Sequence, residues 1–106
     1  MLTMKPTKNI ALQTDDAARA LTFYQQILGL KLADGSSDTL CLGSMNLIVD
    51  QATDLRGPVF EFVVEDLEAA RRQLECAGCK VVRWEGKGGC CFIEDPFGLR
   101  FNLWQD

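Results

Sequence analysis

The sequence predicts an α+β fold of two tandem βαβββ modules, residues 1–55 and 56–106, and three observations carry that prediction. A run with strand-like alternation leads into a helical repeat twice. Each helical stretch is closed by a glycine, Gly29 or Gly78, and short extended runs follow. The wording repeats too: Asp16-Ala-Ala-Arg-Ala-Leu21 echoes Glu68-Ala-Ala-Arg-Arg-Gln-Leu74, and Leu28-Gly-Leu-Lys-Leu32 echoes Ala77-Gly-Cys-Lys-Val81.

In chain order, Asn9–Thr14 alternates apolar and polar residues as a half-buried strand does. Asp15 and Asp16 offer an N-cap to a helix over Ala17–Leu28, where Ala20, Leu21, Tyr24 and Leu28 recur at helical spacing. Extended structure resumes at Leu30–Ala33. Asp34-Gly-Ser-Ser37 is a turn, Thr39–Leu42 a strand, Gly43-Ser44 another turn and Met45–Asp50 a further strand. Gln51–Pro58 reads as a connection. Val59–Val64 is then a strand, Glu65-Asp66 caps a helix over Leu67–Ala77, and Lys80–Trp84, Gly89–Ile93 and Leu99–Trp104 are the last three of eight strands.

Composition excludes several functions. The 106 residues are 47% apolar and 25% charged, so the chain is neither disordered nor too small for one core. The formal charge of −4 and the lack of a basic stripe argue against nucleic acid as a partner. No apolar run approaches the length of a membrane span, and Met1–Lys8 has no apolar core of an export signal, so the expected place is the cytoplasm. Five cysteines, an odd number in such a chain, read as free thiols. Histidine is absent, which removes the commonest acid–base catalyst and the commonest metal ligand together.

Strand alternation assigns the faces. Ile10, Leu12, Phe60, Phe62, Val64, Phe101 and Leu103 should meet the helices. Asn9, Ala11, Gln13, Val59, Glu61, Val63, Arg100, Asn102 and Trp104 should line the opposite, groove-forming side, joined by Phe92.

The duplicated pattern, with Phe23-Tyr24…Leu28-Gly29-Leu30 and Glu94-Asp-Pro-Phe-Gly98-Leu-Arg-Phe-Asn102-Leu, resembles the vicinal oxygen chelate superfamily over Asn9 to Trp104. That superfamily includes glyoxalase I, bleomycin-resistance proteins, fosfomycin-resistance enzymes and extradiol dioxygenases. The resemblance implies a curved mixed sheet around a concave groove, and a homodimer that covers the open sheet edges. In metal-dependent members, four groove positions bind a divalent ion; here they fall on Asn9, a residue around Ile48, Val59 and Asn102. The histidines and glutamates of those members are missing, and two of the replacements have no lone pair. This chain therefore resembles a metal-free branch, and no cofactor is expected.

Other candidates read as structure. Cys76-Ala-Gly-Cys79 lies at a helix C-terminus, where the dipole does not activate a thiol. Cys90 and Cys91, adjacent on a strand, point to opposite faces. Glu85-Gly-Lys-Gly-Gly89 has no helix behind it to receive a phosphate and reads as a flexible hairpin loop. Glu61, mid-strand, either pairs with Arg100 or serves a ligand as base or counter-ion. Trp84 and Trp104 are rim packing or a stacking surface for a planar ligand. The site expected is Asn9, Gln13, Ile48, Val59, Glu61, Phe92, Arg100, Asn102 and Trp104, with no catalytic residue assigned. Its amide-and-aromatic lining suits a small planar neutral or cationic ligand; the alternative is a lyase, isomerase or dioxygenase with a divergent metal site.

Overall fold

The computed structural model describes residues 3–106, so the first two residues of the expected first module lie outside the described part. Seven strands and two helices make an α+β architecture with an open, mixed sheet. They are β1 (Lys5–Thr14), α1 (Ala17–Gln26), β2 (Thr39–Leu42), β3 (Met45–Gln51), β4 (Gly57–Val63), α2 (Leu67–Cys76), β5 (Lys80–Trp84), β6 (Cys91–Glu94) and β7 (Arg100–Trp104).

The chain divides into two compact units. One is Lys8–Pro58, here the amino-terminal unit; the other joins the stretch up to Thr7 to Val59–Asp106, here the carboxy-terminal unit. In the amino-terminal unit the strand order is β2-β3-β1, with β1·β3 parallel and β2·β3 antiparallel. In the carboxy-terminal unit the order is β4-β7-β6-β5, with β4·β7 parallel and the other pairs antiparallel. The two units thus repeat one plan: a strand, a helix, and a return to the first strand from a parallel neighbour.

Helix caps fix the true frame of that repeat. Asp16 Oδ1 accepts from the Arg19 N–H at 3.1 Å, and Asp66 Oδ1 from the Ala69 N–H at 3.1 Å. The equivalent residues are therefore Asp16 and Asp66, so the echo of Asp16 with Glu68 is out of step by two residues. In this frame Asn9 matches Val59, Ala20 matches Ala70 and Phe23 matches Gln73. Gly78, at φ +98°, ends α2 while the Cys79 N–H reaches the Leu74 carbonyl at 2.9 Å.

Seven strands form where eight were expected. Leu30–Ala33 is reduced to one bridge, Leu32 opposite Leu40. Between Gly29 and Gly35, both at positive φ, the run is too short for a ladder, although Lys31 O and Ala33 N still bond to β2.

The carboxy-terminal core gathers Val64, Leu67, Ala70, Cys91, Ile93, Phe101 and Leu103, with Phe60, Phe62 and Trp84 packed against it. Phe60, Phe62, Val64, Phe101 and Leu103 are helix-facing residues that alternation assigns, so the opposite sheet face is identified by elimination. Trp84 belongs to the helix side: its Nε1–H donates to Glu68 at 3.2 Å, and the Arg71 guanidinium sits 4.9 Å from its ring centroid. Its role is packing against α2. The glycine-rich loop is a defined turn. Glu85 N bonds to Cys90 O and Gly89 N to Gly86 O, and a Cβ on Gly89 would stand 2.7 Å from Glu85 Cβ.

Candidate functional site

The expected site residues fall into two groups, one in each unit. In the amino-terminal unit, parallel pairing sets Asn9 beside Asn46, Ala11 beside Ile48 and Gln13 beside Asp50. The Asn46 Nδ2–H donates to Asn9 Oδ1 at 3.1 Å, and the Gln13 Nε2–H donates to Asp50 Oδ2 at 3.0 Å. Gln13 is buried, so its amide is a satisfied structural group as well as a facing one. Asn46 and Asp50 were missed in the sequence. The signal that finds them is a constant separation of 37 residues, which only the register between β1 and β3 supplies.

In the carboxy-terminal unit, direct pairing lines up Glu61, Asn102, Phe92 and Arg83 across β4, β7, β6 and β5. The register shifts between Val81 and Arg83 on β5. That shift keeps Arg83 on the open face while Val81 stays with the core. Trp104 and Arg100 flank Asn102 two residues away on the same side of β7, one pleat repeat in each direction. Arg83 was missed because a bulge reverses the simple alternation.

The geometry of this row differs from expectation at several points. Glu61 Oε1 accepts from the Thr7 hydroxyl at 2.9 Å, a partner ahead of the stretch read as strand. Arg100 donates through Nε to its cross-strand neighbour Glu94 at 2.8 Å. Phe92 is 5% exposed, so little of its ring is open on that face. Val59 is fully enclosed. Trp104, by contrast, offers a partly open indole. Asn102 Oδ1 accepts from the Cys91 N–H at 2.8 Å, which occupies that amide oxygen in holding the start of β6.

Three of the thiols, Cys79, Cys90 and Cys91, are not poised for chemistry. Burial pushes Cys90 up from its ordinary range, Glu85 adds to this, and Arg83 opposes it. Burial also raises Cys91, and raises Cys79 with help from Asp95. Such thiols stay protonated at neutral pH, the opposite of an activated nucleophile.

The four positions that the resemblance would give to a metal do not suit one. Ile48 and Val59 have no donor atoms, and the amide oxygens of Asn9 and Asn102 already accept hydrogen bonds. Among the described residues no cluster of three or more histidine, cysteine, aspartate or glutamate side chains could hold an ion. Recesses of about 300 Å³ beside Lys5, Glu65 and Gln105, and about 560 Å³ beside Asp16, Arg19 and Tyr24, include none of the nine expected residues.

Fold and repeat together define a chain in which a strand, a helix and a returning parallel strand occur twice. The chain belongs to the glyoxalase-like domain family, whose match covers residues 9–104. No curated protein sequence matches it. Among solved structures it is similar to a glyoxalase/bleomycin resistance protein/dioxygenase superfamily member from Vibrio splendidus 12B01, at 15% identity and TM-score 0.59, over 100% of this chain and 99% of that one. It is also similar to the Mn(II)-bound glyoxalase from Novosphingobium aromaticivorans, at 19% identity and TM-score 0.59, over 100% of this chain. Homoprotocatechuate 2,3-dioxygenase from Brevibacterium fuscum gives 19% identity and TM-score 0.58, over 99% of this chain. This chain spans only 40% and 37% of those two enzymes. At such identities the likeness is one of fold. Among the described residues no helix is long and apolar enough to cross a membrane.

Proposed function

We propose that this chain is a metal-independent small-molecule-binding protein that takes a planar neutral or cationic ligand on its open sheet faces. The observation that carries this reading is the filling of the four metal positions by two aliphatic side chains and two engaged amides. In the carboxy-terminal unit the Glu61 carboxylate, the Asn102 amide and the Trp104 indole sit within one pleat repeat of each other. A carboxylate beside an aromatic face suits a flat cation, and neighbouring amides orient a neutral ring.

The mechanism is binding and orientation. Thr7 holds one oxygen of Glu61, which fixes the carboxylate on that face of the sheet. Phe92 is buried in the same row, beside Asn102. The similarity to a Mn(II)-bound glyoxalase and a dioxygenase supports a second reading, an enzyme with a divergent metal site.

Metal analysis of the purified protein, followed by a thermal-shift ligand screen, separates the two. The expected result is no stoichiometric manganese, iron, nickel or zinc, with stabilisation by planar compounds. Stoichiometric metal would establish the second reading. With any hit, Trp104→Ala should cost at least about thirtyfold in affinity, and Glu61→Gln should weaken cations more than neutral compounds. Cys76→Ser should leave binding unchanged.

A further inference from the structure

In the amino-terminal unit, the sheet face turned away from α1 holds a polar pair that the fold does not require. Leu40 and Val49 are buried on the side where α1 packs on β3, so Asn46, Ile48 and Asp50 point the other way. Register sets Gln13 directly beside Asp50 there, and the buried Gln13 amide donates to Asp50 Oδ2 at 3.0 Å. Among the described residues no donor meets Asp50 Oδ1. Of the side chains that these pairings place on that face, Asp50 alone carries a charge.

The other repeat does without such a pair. In the frame that the helix caps set, Gln13 matches Val63. Each faces a residue of the parallel neighbouring strand, Gln13 facing Asp50 and Val63 facing Trp104. One repeat fills this place with two apolar side chains, the other with an enclosed amide and a half-buried carboxylate. Enclosing an amide and part of a charge costs free energy that a valine does not. Packing therefore does not account for Asp50.

We infer that Asp50, aimed by Gln13, receives a flat cation whose charge is carried on N–H groups, the amidinium and guanidinium class. This rests on the proposed function, in which the open sheet faces take a planar ligand, and names the group that reads its charge in this unit. A carboxylate only accepts hydrogen bonds, so its best partner brings both positive charge and N–H donors. The bond from Gln13 holds the carboxylate in place before the ligand arrives, which lowers the ordering cost of binding. Ala11 and Ile48, the neighbouring pair one pleat repeat away, give the ligand's flat body an apolar bed. A quaternary ammonium has no N–H and is recognised by aromatic faces, and none of these paired residues is aromatic.

Magnetic-resonance titration of the isotope-labelled full chain with benzamidine, benzamide and phenyltrimethylammonium tests this. The wild type should bind benzamidine at least about tenfold more tightly than benzamide, which is neutral, or phenyltrimethylammonium, which is charged but lacks N–H groups. The shifts should gather on β1 and β3. Asp50→Asn, which keeps an acceptor for Gln13, should bring benzamidine down to the affinity of benzamide and leave benzamide unchanged. Glu75→Gln, an exposed carboxylate of α2, should alter none of the three. Equal binding of the probes by the wild type, a result that needs no variant to fold, overturns the inference, as does benzamidine binding untouched by Asp50→Asn. A loss caused by Glu61→Gln in place of Asp50→Asn also overturns it, while the proposed function stands with its cation on the other unit. Failure of benzamidine to bind overturns the inference too; the proposed function falls with it only if the ligand screen yields no planar compound or the protein holds stoichiometric metal.

Discussion

The two helices occupy matching places in their repeats and are capped alike, yet only one is anchored in a core. Helix α2 buries Leu67 and Ala70 and packs Leu74 beside them, with Glu68 and Arg71 against Trp84 and with Arg72 and Gln73 turned outward. No residue of α1 is buried. Its inward side is built from Ala17, Ala20, Leu21 and Tyr24, and alanines cover little of the sheet. The amino-terminal unit instead ties its helix down through polar contacts. Gln51 Oε1 accepts from the Ala17 N–H at 2.9 Å, the Gln51 side-chain N–H reaches the Asp15 carbonyl at 2.6 Å, and Arg56 bridges to Asp15 at 3.1 Å. One topology can thus be held by apolar burial in one repeat and by chain-to-helix hydrogen bonds in the other.

The sharpest way to break this comparison is to cut into each helix–sheet layer in turn. Leu103→Ala, at a position with no exposure, should cost about 2–5 kcal/mol by removing packed methyl groups and leaving a cavity. Leu21→Ala, half-buried in α1, should cost no more than about 1.5 kcal/mol. Urea unfolding of both variants measures the difference. Equal losses would mean that the two helices are anchored alike.

The caps sharpen the comparison from the other side. Asp16→Ala and Asp66→Ala each remove one bond to a helix N–H and should each cost about 1 kcal/mol. Gln51→Ala should add a comparable loss in the amino-terminal unit only, because two bonds at the start of α1 depend on it. Thermal unfolding of the three variants reads this directly.

How much of this was legible follows from how local each signal is. Alternation and capping act within a few residues. The strands Thr39–Leu42 and Lys80–Trp84, both N-caps and the helix-facing set Phe60, Phe62, Val64, Phe101 and Leu103 all stand in the structure as the sequence predicts them. Pairings between distant residues carry no local mark. Thr7 on Glu61 and Asn46 on Asn9 depend on register and strand extension, and the bulge beside Arg83 defeats period-two reading. The burial of Phe92 and Val59 was hidden for a related reason. Alternation gives a side chain's direction but not what closes over it.

The smallest expected effect again separates the repeats, through their thiols. Cys79, Cys90 and Cys91 all lie in the carboxy-terminal unit, and burial raises each of them. A thiol raised on folding is held neutral by the native state, so the unfolded chain releases its proton first as pH rises. The stability this contributes is complete below the unfolded thiol value, about 8.5, and is lost as pH rises through the higher folded values. Stability should therefore fall between mildly and strongly alkaline pH, and a Cys79→Ala, Cys90→Ala, Cys91→Ala triple variant should show a flatter alkaline limb. Urea midpoints measured from pH 7 to pH 10 decide it: an unchanged slope in the triple variant would show that the three thiols do not contribute to the alkaline loss.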